Sequence, residues 1–272
     1  MIIYDEPIES YHSNPAWGSS QARVFARSPQ ESHDEWTGLK VREDRGCLQI
    51  GRLAHMMVLE PAKFAACVVS DGPINPKTGK AYGRDTNAFK AWQSENPEVI
   101  FVESWLHIML DRMPPEIRKV FESGQPETTV RVDATDDDPS MQCRTDWQRQ
   151  MLTVYDLKTI DRLEKIDKDI SVRQYYIQQG WYERTIMRET GQRPEQFHFI
   201  FAEKVSPWRW QLVTLDDDYR EEGYTKATQI ARDIRSCEMA NDFRDYTTRH
   251  RIVSMPYWMG EVTQNEDGSI SI

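Results

Sequence analysis

The sequence predicts a mixed α/β fold in which helices flank a central β-sheet, and three observations carry that reading. Three consecutive short runs rich in β-branched and aromatic residues, 128–132, 141–148 and 151–157, are separated by turn signals, and a fourth lies at 197–204. Helical periodicity brackets them, so the central order is helix, strand, strand, strand, helix, strand. A chain of 272 residues also buries roughly three quarters of the surface its unfolded form exposes, which suits one large domain or a core with appendages.

Taken in order, 19–27 opens on a serine N-cap and closes at Ser28-Pro29, the pattern of a small helix. Within 48–58, Ile50, Leu53, Ala54, Met57 and Val58 recur at the spacing of a helix packed on a core, and Pro61 ends it. The Gly-, Pro- and Lys-rich stretch 71–84 is expected to be a mobile loop, with helices following at 86–93, 103–112 and 115–122. Asp136-Asp137-Asp138 precedes Pro139 between two strands and is read as a solvated hairpin turn. Long helices are expected at 172–189 and, beyond 210–215, at 219–237. The polar, aperiodic end, 261–272, is expected to be a disordered tail.

Composition narrows the function classes. The four cysteines, Cys47, Cys67, Cys143 and Cys237, are scattered without a C-x-x-C pair. That spacing argues against a structural zinc, an iron–sulfur cluster or a disulfide framework, and points to reduced thiols. No basic segment precedes an apolar stretch at the amino terminus, and no apolar run reaches membrane-spanning length, so a cytoplasmic protein with no membrane contact is expected. A net charge of -10 speaks against a protein that coats nucleic acid, since phosphate binding leaves a basic footprint. An enzyme that encloses DNA needs positive charge only along its channel, and a metal site needs acidic residues in any case.

The residues that carry chemistry centre on Val154-Tyr155-Asp156-Leu157-Lys158. Strand alternation puts Asp156 and Lys158 on one face and Leu157 on the other. A carboxylate that holds a divalent metal beside a lysine that orients water suits phosphodiester hydrolysis. Asp146 lies on the preceding strand, and a short turn at Arg149-Gln150 returns the chain so that it nears Asp156. Gln178 and Tyr182 share one face of the 172–189 helix, one turn apart. His55 sits on the flank of an apolar helical stripe, where it is either a core histidine or a metal ligand. Glu127 opens the first strand and is either a solvated turn residue or one more carboxylate at the site. Alone, the D-x-K triplet reads as a surface ion pair and the Gln/Tyr pair as ordinary helix packing.

In order, His55, Asp146, Asp156-x-Lys158 and Gln178-x-x-x-Tyr182 resemble the motif set of the PD-(D/E)XK nuclease superfamily. The nearest branch is the RecB-like one typified by the RecE (exonuclease VIII) nuclease domain. The resemblance starts at Tyr11-His12, runs through Gly51-Arg52-Leu53-Ala54-His55 and the Lys77-Thr78-Gly79-Lys80 loop, and ends at Met255-Pro256-Tyr257-Trp258. Thr145 stands where the motif has its proline, and Asp156 where many relatives have glutamate. Neither change removes a metal-binding oxygen.

The resemblance implies a restriction-endonuclease-like core and a single nuclease domain over 1–260: a helical part at 1–125, a catalytic core at 126–215, and a C-terminal helix with extension at 216–260. It implies Mg²⁺, with Mn²⁺ as substitute, in a two-ion arrangement. His55, Asp146, Asp156 and the Leu157 carbonyl would be ligands, with Glu127 a weaker candidate, and Lys158 would handle the attacking water. Gln178 and Tyr182 would line the DNA end. Arg23, Arg27, Lys77 and Lys80 are candidates for phosphate contacts, being basic groups on a helix start and a loop. The implied activity is degradation of linear double-stranded DNA from the 5′ end. It leaves a 3′ overhang for a single-strand annealing protein and is carried out by a ring-shaped homo-oligomer in a bacterial or phage-infected cell. Three alternatives are weighed. A helicase-associated nuclease is disfavoured by the cysteine spacing, and a catalytically silent DNA-binding module by the intact Asp146, Asp156 and Lys158. A structure-specific endonuclease of the same fold stays open.

Overall fold

The computed structural model describes residues 1–40, 46–67, 69–70, 72–102, 104–245, 253–254, 263–264 and 270–271. Its centre is a six-stranded sheet whose strands lie side by side in chain order. They are β1 (Ile2–Ile3), β2 (Gln125–Val132), β3 (Met141–Arg149), β4 (Thr153–Ile160), β5 (Gln196–Glu203) and β6 (Trp210–Val213). All neighbours are antiparallel except β4 and β5, which run parallel from Thr153↔Gln196 to Ile160↔Glu203. A parallel pair requires a long crossover. Here it consists of a short helix, Ile166–Val172, and a longer one, Tyr175–Thr190.

Four helices position the site: α1 (Ser19–Phe25), α2 (Gly46–Leu59), α3 (Tyr175–Thr190) and α4 (Asp217–Ala240). Strand alternation divides the apolar side chains between two cores. Val154 and Ile160 enter the one that holds Ile177 and Trp181 of α3 and Ile230 of α4. Tyr155 and Leu157 enter the other, with Leu53 and Met57 of α2, Leu106 and Trp210. Asp156 and Lys158 therefore project towards α3, and Leu157 towards α2.

Helices α3 and α4 cross at glycines. A Cβ on Gly180 would stand 2.2 Å from the Gly223 carbonyl oxygen, and one on Gly223 would stand 2.1 Å from that of Tyr176. The backbones thus meet with no side chain between them. Asp216 caps α4 by accepting the Tyr219 amide at 2.9 Å.

Several sequence expectations change. The helix expected over 172–189 runs from Tyr175 to Thr190: Val172 ends the preceding short helix, and Gln174, in a left-handed conformation (φ 55°), separates the two. The stretch 71–84 is a closed turn in its described part. Ile74 bridges Ala81, the Asn75 amide donates to the Lys80 carbonyl at 2.8 Å, and the Asn75 side chain accepts the Lys77 amide at 2.9 Å. Asp138 is not solvated: both its oxygens accept from Arg184 at 2.7 Å and Arg188 lies 3.6 Å away. Two arginines one turn apart on α3 compensate the burial of this carboxylate. Strand β1 carried no sequence signal, being only two residues long. In the tail, Thr263–Gln264 and Ile270–Ser271 form an antiparallel pair, and the rest of 261–272, like Met255-Pro256-Tyr257-Trp258, lies outside the described residues. No helix among the described residues is long and apolar enough to cross a membrane.

Candidate active site

The site begins where the sheet gives up regular pairing. Strands β2 and β3 are in register at Pro126↔Trp147 and Thr128↔Thr145, but the rung between, Glu127 opposite Asp146, is missing. Glu127 has φ 44°, a left-handed conformation that costs a non-glycine residue about 1–3 kcal/mol and persists only where its surroundings impose it. On β3, Met141 and Cys143 belong to the α3 core while Trp147, in the same phase, belongs to the α2 core. The alternation slips at Asp146.

Between β3 and β4 the ladder ends at Trp147↔Tyr155. Beyond it the Asp146 side chain does the work of main chain: Oδ2 accepts the Leu157 amide at 2.6 Å. From the other side α2 brings His55, whose Nε2 lies 2.8 Å from the Leu157 carbonyl and whose Nδ1 lies 3.7 Å from Asp146 Oδ2. A carbonyl only accepts, so Nε2 carries the proton and Nδ1 turns a bare lone pair towards a carboxylate. Two acceptors facing each other call for a cation between them.

Glu127 completes the arrangement: one donor atom each from His55, Glu127 and Asp146 lie within 4.8 Å of one another. Ligand oxygens bind Mg²⁺ at about 2.1 Å and Ca²⁺ at up to about 2.6 Å, so donors across one ion stand up to about twice that apart. The three residues fit one divalent cation.

Electrostatics agree. Burial first, and then the Asp156 carboxylate, raise the pKa of Asp146 into the neutral range, against the pull of Lys158, the Leu157 amide and Arg144. Burial and Asp146 likewise raise Glu127, opposed by Arg144. Burial and the Lys158 charge lower His55, keeping the ring neutral. Burial pulls the Lys158 pKa down, but the Asp156 and Asp146 charges outweigh it, and the ammonium holds its proton above the ordinary range.

The expected residues thus fall into two adjoining groups. The first is His55, Glu127 and Asp146. The second surrounds Asp156, which is 1% exposed and accepts the Gln178 side-chain amide on Oδ1 at 2.6 Å, while Oδ2 is ion-paired with Lys158. The other amide atom of Gln178, Oε1, is buried with no hydrogen-bond partner among the described residues. Tyr182 lies one turn on, buried against Phe197. Burial, then Asp156, push its hydroxyl far above the usual phenol range. The Leu157 carbonyl, expected as a ligand, is taken up by His55.

Of the basic candidates, Arg23 holds the chain entering α3, donating to the Arg173 carbonyl at 2.9 Å. Arg27, Lys77 and Lys80 are exposed. Two residues escaped the sequence reading. Arg144 donates to Glu127 at 2.5 Å and to the Glu6 carbonyl at 2.6 Å, fixing the strained rung. Tyr175 places its ring 5.1 Å from the Lys158 ammonium, a cation–π contact. Its position three residues before Gln178 on a helix is the one signal that pointed to it.

The profile of a family described as "PDDEXK-like domain of unknown function (DUF3799)" matches residues 18–247. The chain belongs to this family. A solved structure described as a "putative exonuclease", from Eubacterium rectale, has the same fold, with a TM-score of 0.58 over 94% of this chain and 96% of that one at 17% identity. No curated protein matches the chain. The mixed six-stranded sheet flanked by helices thus matches a PDDEXK-like nuclease fold.

Proposed function

We propose that the protein is a divalent-metal-dependent exodeoxyribonuclease that degrades linear double-stranded DNA from 5′ to 3′ and leaves a 3′ overhang for strand annealing. The observation that carries the metal-dependent nuclease is the pair of facing acceptors, His55 Nδ1 and Asp146 Oδ2, 3.7 Å apart and adjoining the Asp156–Lys158 pair. The polarity, the annealing partner and the ring-shaped homo-oligomer rest on the resemblance to the RecE-type branch alone.

His55, Glu127 and Asp146 would hold the ion, Mg²⁺ or in its place Mn²⁺, and Asp156 would contribute to a second ion on exchanging its Lys158 contact. Bound there, such ions polarise phosphoryl oxygens and lower the pKa of water. The chain's own groups do the rest. Lys158, charged and only partly screened from solvent, aims an ammonium at the reacting phosphate and its attacking water. Gln178 fixes the Asp156 carboxylate, and its free Oε1 accepts from that water. Tyr182 stays a neutral hydroxyl donor beside the carboxylates. Arg23, Arg27, Lys77 and Lys80 would follow phosphates without reading sequence.

The test uses linear and closed-circular duplex DNA, each strand end-labelled in turn, with Mg²⁺, Mn²⁺ or chelator, beside Asp156→Ala. Metal-dependent release of nucleotides from the 5′ end of linear DNA alone, abolished in the variant, is expected. Cutting of closed circles would make the protein an endonuclease, and equal cutting by Asp156→Ala would refute the site.

A further inference from the structure

The Lys158 ammonium has two partners of different kinds. It is ion-paired with Asp156, and it lies 5.1 Å from the centroid of the Tyr175 ring, within the distance at which an aromatic face attracts a cation. The carboxylate is the partner that a second metal ion would claim. The ring is not.

Tyr175 is fixed from three sides. Gln174 before it is left-handed (φ 55°), and the Arg173 carbonyl accepts from Arg23 at 2.9 Å, so the entry to α3 is held. The Tyr175 ring stacks on Phe199, with centroids 5.7 Å apart and planes at 27°, and its centroid lies 6.2 Å from that of Phe201. Those two phenylalanines flank the reactive pair itself: the parallel register of β4 and β5 sets Phe199 beside Asp156 and Phe201 beside Lys158. A ring laid across them is laid alongside the pair. Tyr175 is buried, with 9% of its surface exposed, and a close-packed interior leaves such a ring little freedom.

Tyr175 and Gln178, three residues apart, share a face of α3. Gln178 donates to Asp156 Oδ1 at 2.6 Å, while Tyr175 turns its ring to Lys158. One helical turn thus supports each member of the pair separately, an amide for the carboxylate and a ring for the ammonium.

We propose that Tyr175 is the positioning residue for Lys158, its ring being the seat that retains the ammonium when Asp156 turns to a metal ion. A lysine carries its charge on a flexible four-carbon stem, and an ammonium released by its counter-ion spreads over many rotamers unless a second contact keeps it. A cation–π contact keeps it without neutralising the charge. The ammonium then stays available to phosphate and water. The proposal rests on the nuclease reading for what Lys158 does, and on the geometry for what holds it.

Nuclear magnetic resonance of the full chain, with ¹³C at the lysine Cε, tests the seat without cleavage. The Lys158 signal is identified by its loss in Lys158→Arg. Protons above a ring face resonate upfield, so the wild-type signal is expected upfield of the exposed lysines and is expected to stay there with Mg²⁺ at a concentration that saturates its effect on the melting temperature. Tyr175→Phe keeps the shift. Tyr175→Leu, which keeps apolar bulk without a ring, loses it. A Lys158 signal at the exposed position in the wild type, unmoved in Tyr175→Leu, or driven to the exposed position by Mg²⁺ overturns the proposal. The Mg²⁺ arm uses the wild type alone and decides the matter if the leucine variant does not fold. In Mg²⁺-dependent cleavage of linear duplex DNA, Tyr175→Leu lowers kcat by about tenfold, the factor that a cation–π contact of ordinary strength supplies. KM stays within about twofold, because the ring positions a reacting group rather than the DNA. Tyr175→Phe rescues kcat. A raised KM at unchanged kcat, or a phenylalanine variant as slow as the leucine one, would assign Tyr175 to DNA contact through its hydroxyl and overturn the proposal. Absence of cleavage by every chain, or a melting temperature indifferent to Mg²⁺, counts against the nuclease reading instead, and the signals of the two Tyr175 variants still decide the seat.

Discussion

Replacing Asp146 by asparagine should raise the stability of the metal-free protein while removing its response to metal. The substitution keeps an acceptor for the Leu157 amide, which lies 2.6 Å from Oδ2, and deletes a charge that burial and Asp156 both oppose. Because the folded pKa of Asp146 is raised, its contribution to stability is full below the ordinary carboxyl range and is lost as pH rises through the raised value. Metal-free wild-type protein should therefore lose stability relative to Asp146→Asn on going from pH 6 to pH 9. Across the titrating window the difference amounts to at most about 1.4 kcal/mol per pH unit, or about 3–6 °C at about 2–4 °C per kcal/mol for a chain of this size. Mn²⁺ at about a hundred times its dissociation constant should stabilise the wild type by about 2.7 kcal/mol, and the variant by little. Differential scanning calorimetry from pH 6 to pH 9, with Mn²⁺ or chelator, measures both. A wild-type Tm that does not fall relative to the variant's, or a variant with the full metal response, would refute the reading of Asp146 as a buried ligand awaiting a cation.

Asp138→Ala leaves Arg184 and Arg188 without their buried partner and should cost about 3–5 kcal/mol, read as a lower urea midpoint with unchanged cleavage per folded molecule. Gly180→Ala places a methyl 2.2 Å from the Gly223 carbonyl and should cost about 1–3 kcal/mol or more; if the melting temperature held, the crossing would be looser than described. Glu203, fully buried, accepts from Arg209 through both oxygens, at 2.6 and 2.9 Å. That pairing, helped by the Leu163 and Arg209 amides and opposed by burial, lowers its pKa to about 2 from an ordinary 4.5. Its contribution is full above about 4.5, declines as pH falls and is gone once pH drops through about 2. Glu203→Gln should flatten that part of an acid unfolding curve followed by circular dichroism, and an unchanged curve would count against the pairing.

What the sequence disclosed of the site was whatever depends on local period. Alternation along Val154-Tyr155-Asp156-Leu157-Lys158 put Asp156 and Lys158 on one face, and helical spacing put Gln178 and Tyr182 on one face of their helix. The same logic found the helix of His55. Features hidden from the sequence were those fixed by distant partners. The left-handed Glu127 depends on Arg144 and on the Glu6 carbonyl, far along the chain, and no rule of spacing links them. The burial of Asp138 depends on arginines of a helix that follows much later, so three consecutive aspartates read as solvated. The break at Gln174 hides inside a stretch whose composition suits a helix throughout.

Gln178 and Tyr182 stand two residues to either side of Gly180, and on a helix that places both on the face opposite the glycine. Helix α3 therefore turns its reactive edge to the sheet and its bare back to α4. How far Gln178 stands from Asp156 is set by main chain resting on main chain, a dimension that no change of rotamer can relax. Substitutions on the outer helix, remote from any carboxylate, would be felt at the centre as a change of depth.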